Sequence, residues 1–81
     1  MKDIEICALY LDYFNHFLSV SCFAENHGMT KQNAEKTIIQ GIKLENNADS
    51  DFRKEAYNLY AKKYLPLREK QQTTIHYHKG E

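Results

Sequence analysis

The 81-residue sequence predicts an all-α domain of four helices followed by a flexible polar C-terminal tail. Three observations carry that prediction. Apolar residues recur at steps of three and four rather than alternating, capping residues and a glycine fall between the apolar runs, and the single proline, Pro66, stands after the last of them. The 42% apolar content, with six tyrosines and four phenylalanines, suits a packed core. A chain this short still buries only roughly 60–65% of its surface, so the core is small, a catalytic cleft would be shallow, and dimerisation would add burial.

The first helix is read from Ile4 to Leu18, where Cys7, Tyr10, Leu11, Phe14, Phe17 and Leu18 lay one stripe and Asp3 is the expected cap. Ser19 follows and caps a second helix of about two turns, Val20 to His27, although Cys22 stands where a capping box would place Glu or Gln. Gly28 supplies the left-handed backbone that ends a helix cheaply, and Thr30 caps a third helix starting at Lys31. Ala34, Ile38 and Ile42 are its expected inward face. Gly41 costs roughly 1 kcal/mol relative to alanine inside a helix, so the helix either ends there or runs to about Glu45 on the strength of tertiary packing. The stretch "ENNADSD" reads as a loop with Ser50 or Asp51 as the next cap. Helix four then spaces Phe52, Ala56, Leu59, Tyr60 and Tyr64 helically and ends near Leu65, before Pro66. Residues 1–66 form the predicted domain. Residues 67–81 are the basic and polar tail, with a short alternation from Thr73 to Tyr77.

Formal charge is zero, but it is unevenly placed. Residues 1–51 carry four basic groups against eight acidic ones, whereas 52–81 carry seven basic against three acidic. A basic end for an anionic partner and an acidic half packed on a basic half both fit that gradient. Asp3, Glu5 and Asp12 interrupt the N-terminal apolar residues, which argues against a leader or membrane span and predicts a soluble, cytoplasmic protein. Cys7 and Cys22 lie in apolar helical patterns far apart, the expectation for buried free thiols.

Two helices that cross closely at a turn need a small residue inside the first, a glycine at the turn, and apolar residues at the crossing. Phe23, Ala24, Gly28, Met29, Ala34 and Ile38 meet those demands as a helix-turn-helix. From "LSVSCFAENHGMT" through "AEKTIIQG", residues 18 to 41, the pattern resembles the excisionase and MerR-like family of small DNA-binding proteins of phages and bacteria. The stretch "YLDYFNHFLSVSCFAENHG" also resembles small proteins found in phages and prophages. After the final glycine, "IKLENNADSD" departs from the family pattern and gives no turn-and-strand signal, so no β-wing is predicted.

The resemblance implies that the third helix reads double-stranded DNA. Lys31, Gln32, Asn33 and Lys36 would face the major groove, and Thr30 at the cap would offer its hydroxyl or the helix-start amides to a phosphate. Duplex binding draws much of its affinity from neutralised phosphates. Between Thr30 and Asn47, however, only three lysines oppose two glutamates. Specific binding therefore calls for a homodimer, or for phosphate or partner contacts from Arg53, Lys54, Lys62 and Lys63 on helix four. The other reading is a protein-binding module or phage-encoded inhibitor of a host protein on the same scaffold. Tyr57, Tyr60 and Tyr64 would then be its interface, or else core or dimer packing. Stacked on a single strand's bases, these tyrosines among lysines would make a third use.

Enzyme chemistry and cofactors are not predicted. There is no phosphate-cradling glycine loop, no metalloprotease motif and no nucleophile elbow. His76 and His78 would need a third ligand, such as His16 or His27, to hold a metal, and no metal site is predicted. His27 reads more simply as a helix-end residue favoured by the helix dipole.

Overall fold

The computed structural model describes residues 1–69, and these are all helical apart from the connections. Four helices follow in order: α1 Asp3–His16, α2 Val20–Asn26, α3 Lys31–Asn47 and α4 Ser50–Lys63. Beyond Tyr64, residues 65–69 form one further helical turn, so the chain past Pro66 does not leave the fold at once. Pro66 is accommodated because the first turn of a helix has no partner for the amide that proline lacks.

α1 lies at the centre and packs against both α3 and α4, while α2 packs on α3. This placement corrects the single apolar stripe expected of α1. The consecutive residues Ile6, Cys7, Ala8 and Leu9 are all buried, because a helix covered on two sides hides more than one row. Phe14 and Leu18, expected on the stripe, are exposed. Ala8, Leu9, Phe23, Ala24, Ala34, Ile38, Tyr60 and Tyr64 make the shared core.

The caps set where each helix starts. Ser19 accepts the Cys22 amide at 3.1 Å, and Thr30 accepts that of Asn33 at 3.1 Å, both as the sequence predicts. Asp3 instead begins α1 as its first helical residue, and Glu5 reaches back to accept the Lys2 amide at 2.9 Å. Asp49, rather than Ser50 or Asp51, caps α4, accepting the Phe52 amide at 2.8 Å. Each cap satisfies one of the amides that a helix start leaves unpaired.

Gly28 has φ +66 and turns the chain between α2 and α3, with the Met29 amide donating to the Ala24 carbonyl at 2.8 Å. Ala24 and Ala34, both buried, keep the two helices close. Gly41 does not end α3. It is buried against α1, where an added Cβ would lie 2.3 Å from the Tyr10 Cβ. Gly41 therefore takes the inward position expected of Ile42, which is exposed. Cys7 lies against Glu45 and Tyr10 against Gly41, so α1 and α3 pass in opposite directions.

Candidate nucleic-acid interface

Ala34, Ile38 and Gly41 take up the packing of α3 and leave its opposite side to solvent. Gln32, Asn33 and Lys36 are exposed on that side, and Thr30 and Lys31 are exposed at the helix start, where Lys31, three residues before Ala34, flanks the packed stripe. The Thr30 hydroxyl is occupied as a cap acceptor. What remains there for an anion is its hydrogen and the helix-start amides. The outward face runs on through Ile39, Gln40 and Lys43, which with Lys36 line an open groove of about 410 Å³. Among the described residues, no carboxylate lies within 4.0 Å of Lys31, Lys36 or Lys43. Glu35 is exposed on the same helix and keeps the local charge modest.

The basic residues of α4 do not join this cluster as a group. Arg53 sits by the far end of α3, with Nη2 donating to the Glu45 carbonyl at 3.3 Å and Nε 3.7 Å from its carboxylate. Lys31 and Glu45 are fourteen positions apart on one helix, roughly 21 Å along its axis, so Arg53 and Lys31 would meet different parts of any partner. Lys54, Lys62 and Lys63 are exposed, and the Lys63 ammonium lies 5.5 Å from the centre of the Tyr64 ring. The tyrosine trio divides. Tyr57 is exposed, whereas Tyr60 and Tyr64 are core residues and present no interface, because they fall on the side of α4 that faces α1. Burial pushes the Tyr60 hydroxyl above its ordinary pKa, and it shares a hydrogen bond with His16.

A second polar constellation was not expected from the sequence. Asp12 of α1 is fully buried and receives both Nε and Nη2 of Arg68, at 2.9 and 2.8 Å. Arg68 Nη2 also donates to the side-chain oxygen of Asn26 at 2.9 Å, and its guanidinium lies 4.8 Å from the Phe17 ring centre. His27 Nε2 is 2.8 Å from Asp12 Oδ2, and its ring packs against those of Phe23 and Tyr64. Burial alone would raise the pKa of Asp12. The hydrogen bonds from His27 and Arg68, with the charge of Arg68, outweigh it and hold the carboxyl below its ordinary range.

His27 is thus more than the helix-end residue of the sequence reading. It caps α2, as expected, but its ring is turned inward onto Asp12. Arg68 likewise belongs to the fold, although it falls in the stretch predicted as tail; residues 70–81, with His76, His78 and the Thr73–Tyr77 alternation, lie outside the described residues. One signal for the network was present in the sequence. Asp12 follows Ala8 by four and Leu9 by three, so it shares their side of α1, where an unpaired acid would be costly.

The cysteines also differ from each other. Cys7 is buried with its thiol 3.6 Å from the Glu45 carboxylate, and burial followed by that negative charge pushes its pKa up to about 11. Cys22 is exposed, contrary to the expectation for both, because Phe23 and Ala24 take the inward positions of α2. Among the described residues no group of three His, Cys, Asp or Glu is arranged to hold a metal, and no helix is long and apolar enough to cross a membrane. Comparison with family models, curated proteins and solved structures gave no match.

Proposed function

We propose that the protein is a small DNA-binding regulator or accessory factor of phage or mobile-element type, with α2 and α3 as its helix-turn-helix and α3 as the helix that enters the major groove. The outward face of α3 carries this reading. With the helix start it presents three exposed lysines that make no ion pair among the described residues, interspersed with Gln32, Asn33 and Gln40, on a helix packed through Ala34, Ile38 and Gly41. Amides of that kind can pair with adenine edges, and lysine with guanine acceptors or phosphate. Three phosphate contacts give a salt slope of only about −2.7 per copy, so a dimer on two half-sites is the expected binding form.

Selection over random duplexes, followed by mobility shift, tests this directly. A selected site should be bound with steep loss in salt, and changing Lys31, Gln32 and Lys36 together to alanine should abolish the shift while circular dichroism stays unchanged. Recovery of no sequence, or binding that survives the triple change, overturns it.

The exposed apolar side chains favour a second reading, a protein-binding module without DNA binding. Ile39 and Ile42 stand 54% and 41% exposed on α3 itself, and Phe14, Leu18 and Tyr57 are exposed elsewhere. Groove-facing helices rarely need two free isoleucines, whereas an interface core uses them. Under this reading no duplex shifts at moderate salt, and changing Ile39, Ile42 or Tyr57 to a charged residue releases a protein partner.

A further inference from the structure

The Asp12 pocket joins three parts of the chain that lie far apart in sequence. Asp12 comes from α1, Asn26 is the last residue of α2 and His27 its cap, and Arg68 arrives 42 residues after Asn26. Asn26 and His27 immediately precede Gly28, the residue that turns the chain into α3. α2 itself is weakly held. It has seven residues, of which only Phe23 and Ala24 are buried, and a helix so short has little stability of its own. Its start is fixed by Ser19, but its end is fixed by what grips Asn26 and His27.

We propose that residues 64–69 act as a strap, docked through the Arg68 guanidinium, that holds the end of α2 and the Gly28 elbow in one arrangement. The pocket is shaped for a guanidinium in particular. A carboxylate takes two of its nitrogens side by side, an amide oxygen takes a further hydrogen, and the Phe17 ring covers it. An ammonium could match the charge but not the fork. With the strap docked, α2 is clamped between Phe23 in the core and Asn26 at the pocket; with it lifted, the Asp12 carboxylate faces a cavity without its main counter-charge, and the elbow loses that hold. A ligand or partner that captured residues 64–69 would therefore change the α2–α3 arrangement from a distance. This inference stands apart from what α3 binds.

Amide hydrogen exchange on the full chain reads the strap directly, because His27 and Met29 donate to the Phe23 and Ala24 carbonyls across the elbow. In Arg68→Ala, exchange at His27 and Met29 should speed about tenfold or more, as expected for local opening, while amides at the α1–α3 crossing change far less. Methylguanidinium, at concentrations too low to denature, should restore protection in Arg68→Ala but not in Arg68→Ala combined with Asp12→Asn. Should Arg68→Ala fail to fold, Arg68→Lys is read at the same amides, where loss confined to the elbow supports the strap. Uniform acceleration along the chain in the folded variant, or unchanged exchange at His27 and Met29, overturns it, and neither result bears on DNA binding.

Discussion

The outward face of α3 and the Asp12–Arg68 pocket are both built from polar side chains, yet they stand in opposite relations to the rest of the molecule. On α3, Lys31, Gln32, Asn33 and Lys36 come from one short run of sequence, are exposed, and make no ion pair among the described residues. In the pocket, Asp12, Asn26, His27 and Arg68 come from three parts of the chain and satisfy one another, with Asp12 and Arg68 buried and Asn26 and His27 at the rim. Polar residues at the first place are available to a partner, and those at the second are consumed by the fold. Exposure, rather than the mere presence of charge, separates a candidate binding surface from a structural device.

The sharpest way to break that contrast is to remove charge from each region and compare stability. Asp12→Ala leaves the buried Arg68 guanidinium without its carboxylate and should cost about 3–5 kcal/mol, read as a fall in the urea midpoint at unchanged slope. The lysines and amides of α3 predict the reverse. Changing Lys31, Gln32 and Lys36 together should move stability by no more than about 0.5 kcal/mol per site, even where it removes function. An α3 variant as damaging as Asp12→Ala would show that the exposed face is structural after all.

Acid sharpens the same comparison. Asp12 has its folded pKa held below its unfolded value, so its contribution is complete above about pH 4 and is lost as pH falls through the lowered folded value. The gap in unfolding free energy between the natural chain and Asp12→Asn should accordingly shrink from about pH 6 to about pH 3. Alanine at the α3 positions should leave the shape of the pH profile almost unaltered. A gap that stays constant in acid would mean that the carboxylate charge is not what holds Arg68.

A smaller effect is expected midway between the two regions, at the crossing of α1 and α3. Gly41→Ala gains helix propensity of about 1 kcal/mol but forces a methyl to within 2.3 Å of the Tyr10 Cβ, and overpacking of that kind costs about 1–3 kcal/mol or more. A net loss, measured by thermal or urea unfolding, is the expected sign. A net gain would show that α1 shifts freely over α3.

Much of the local architecture was legible because it depends on neighbours in sequence. Ser19, Thr30 and Gly28 do what their types and positions predict, since a cap or a left-handed turn involves only a few residues. The helical spacing likewise placed Ala34, Ile38, Ala56 and Tyr60 inside. Legibility failed where two distant segments decide together. Ile42 fits a four-residue period as well as Gly41 fits a three-residue step from Ile38, and only the approach of Tyr10 selects the glycine. Pro66 signals a helix end, but nothing nearby says that the chain then turns Arg68 back onto Asp12. The candidate α3 face was readable as a row of residue types, whereas which lysines stay unpaired among the described residues depends on where α4 places its own charges.

The unlike settings of the two cysteines have a practical consequence. With Cys7 enclosed and its ionisation suppressed, an electrophilic dye should attach at Cys22 alone. That places a fluorescent reporter on α2, one helical turn before Asn26, without altering a single codon. Movement at the strap would then become visible in real time as a change in emission.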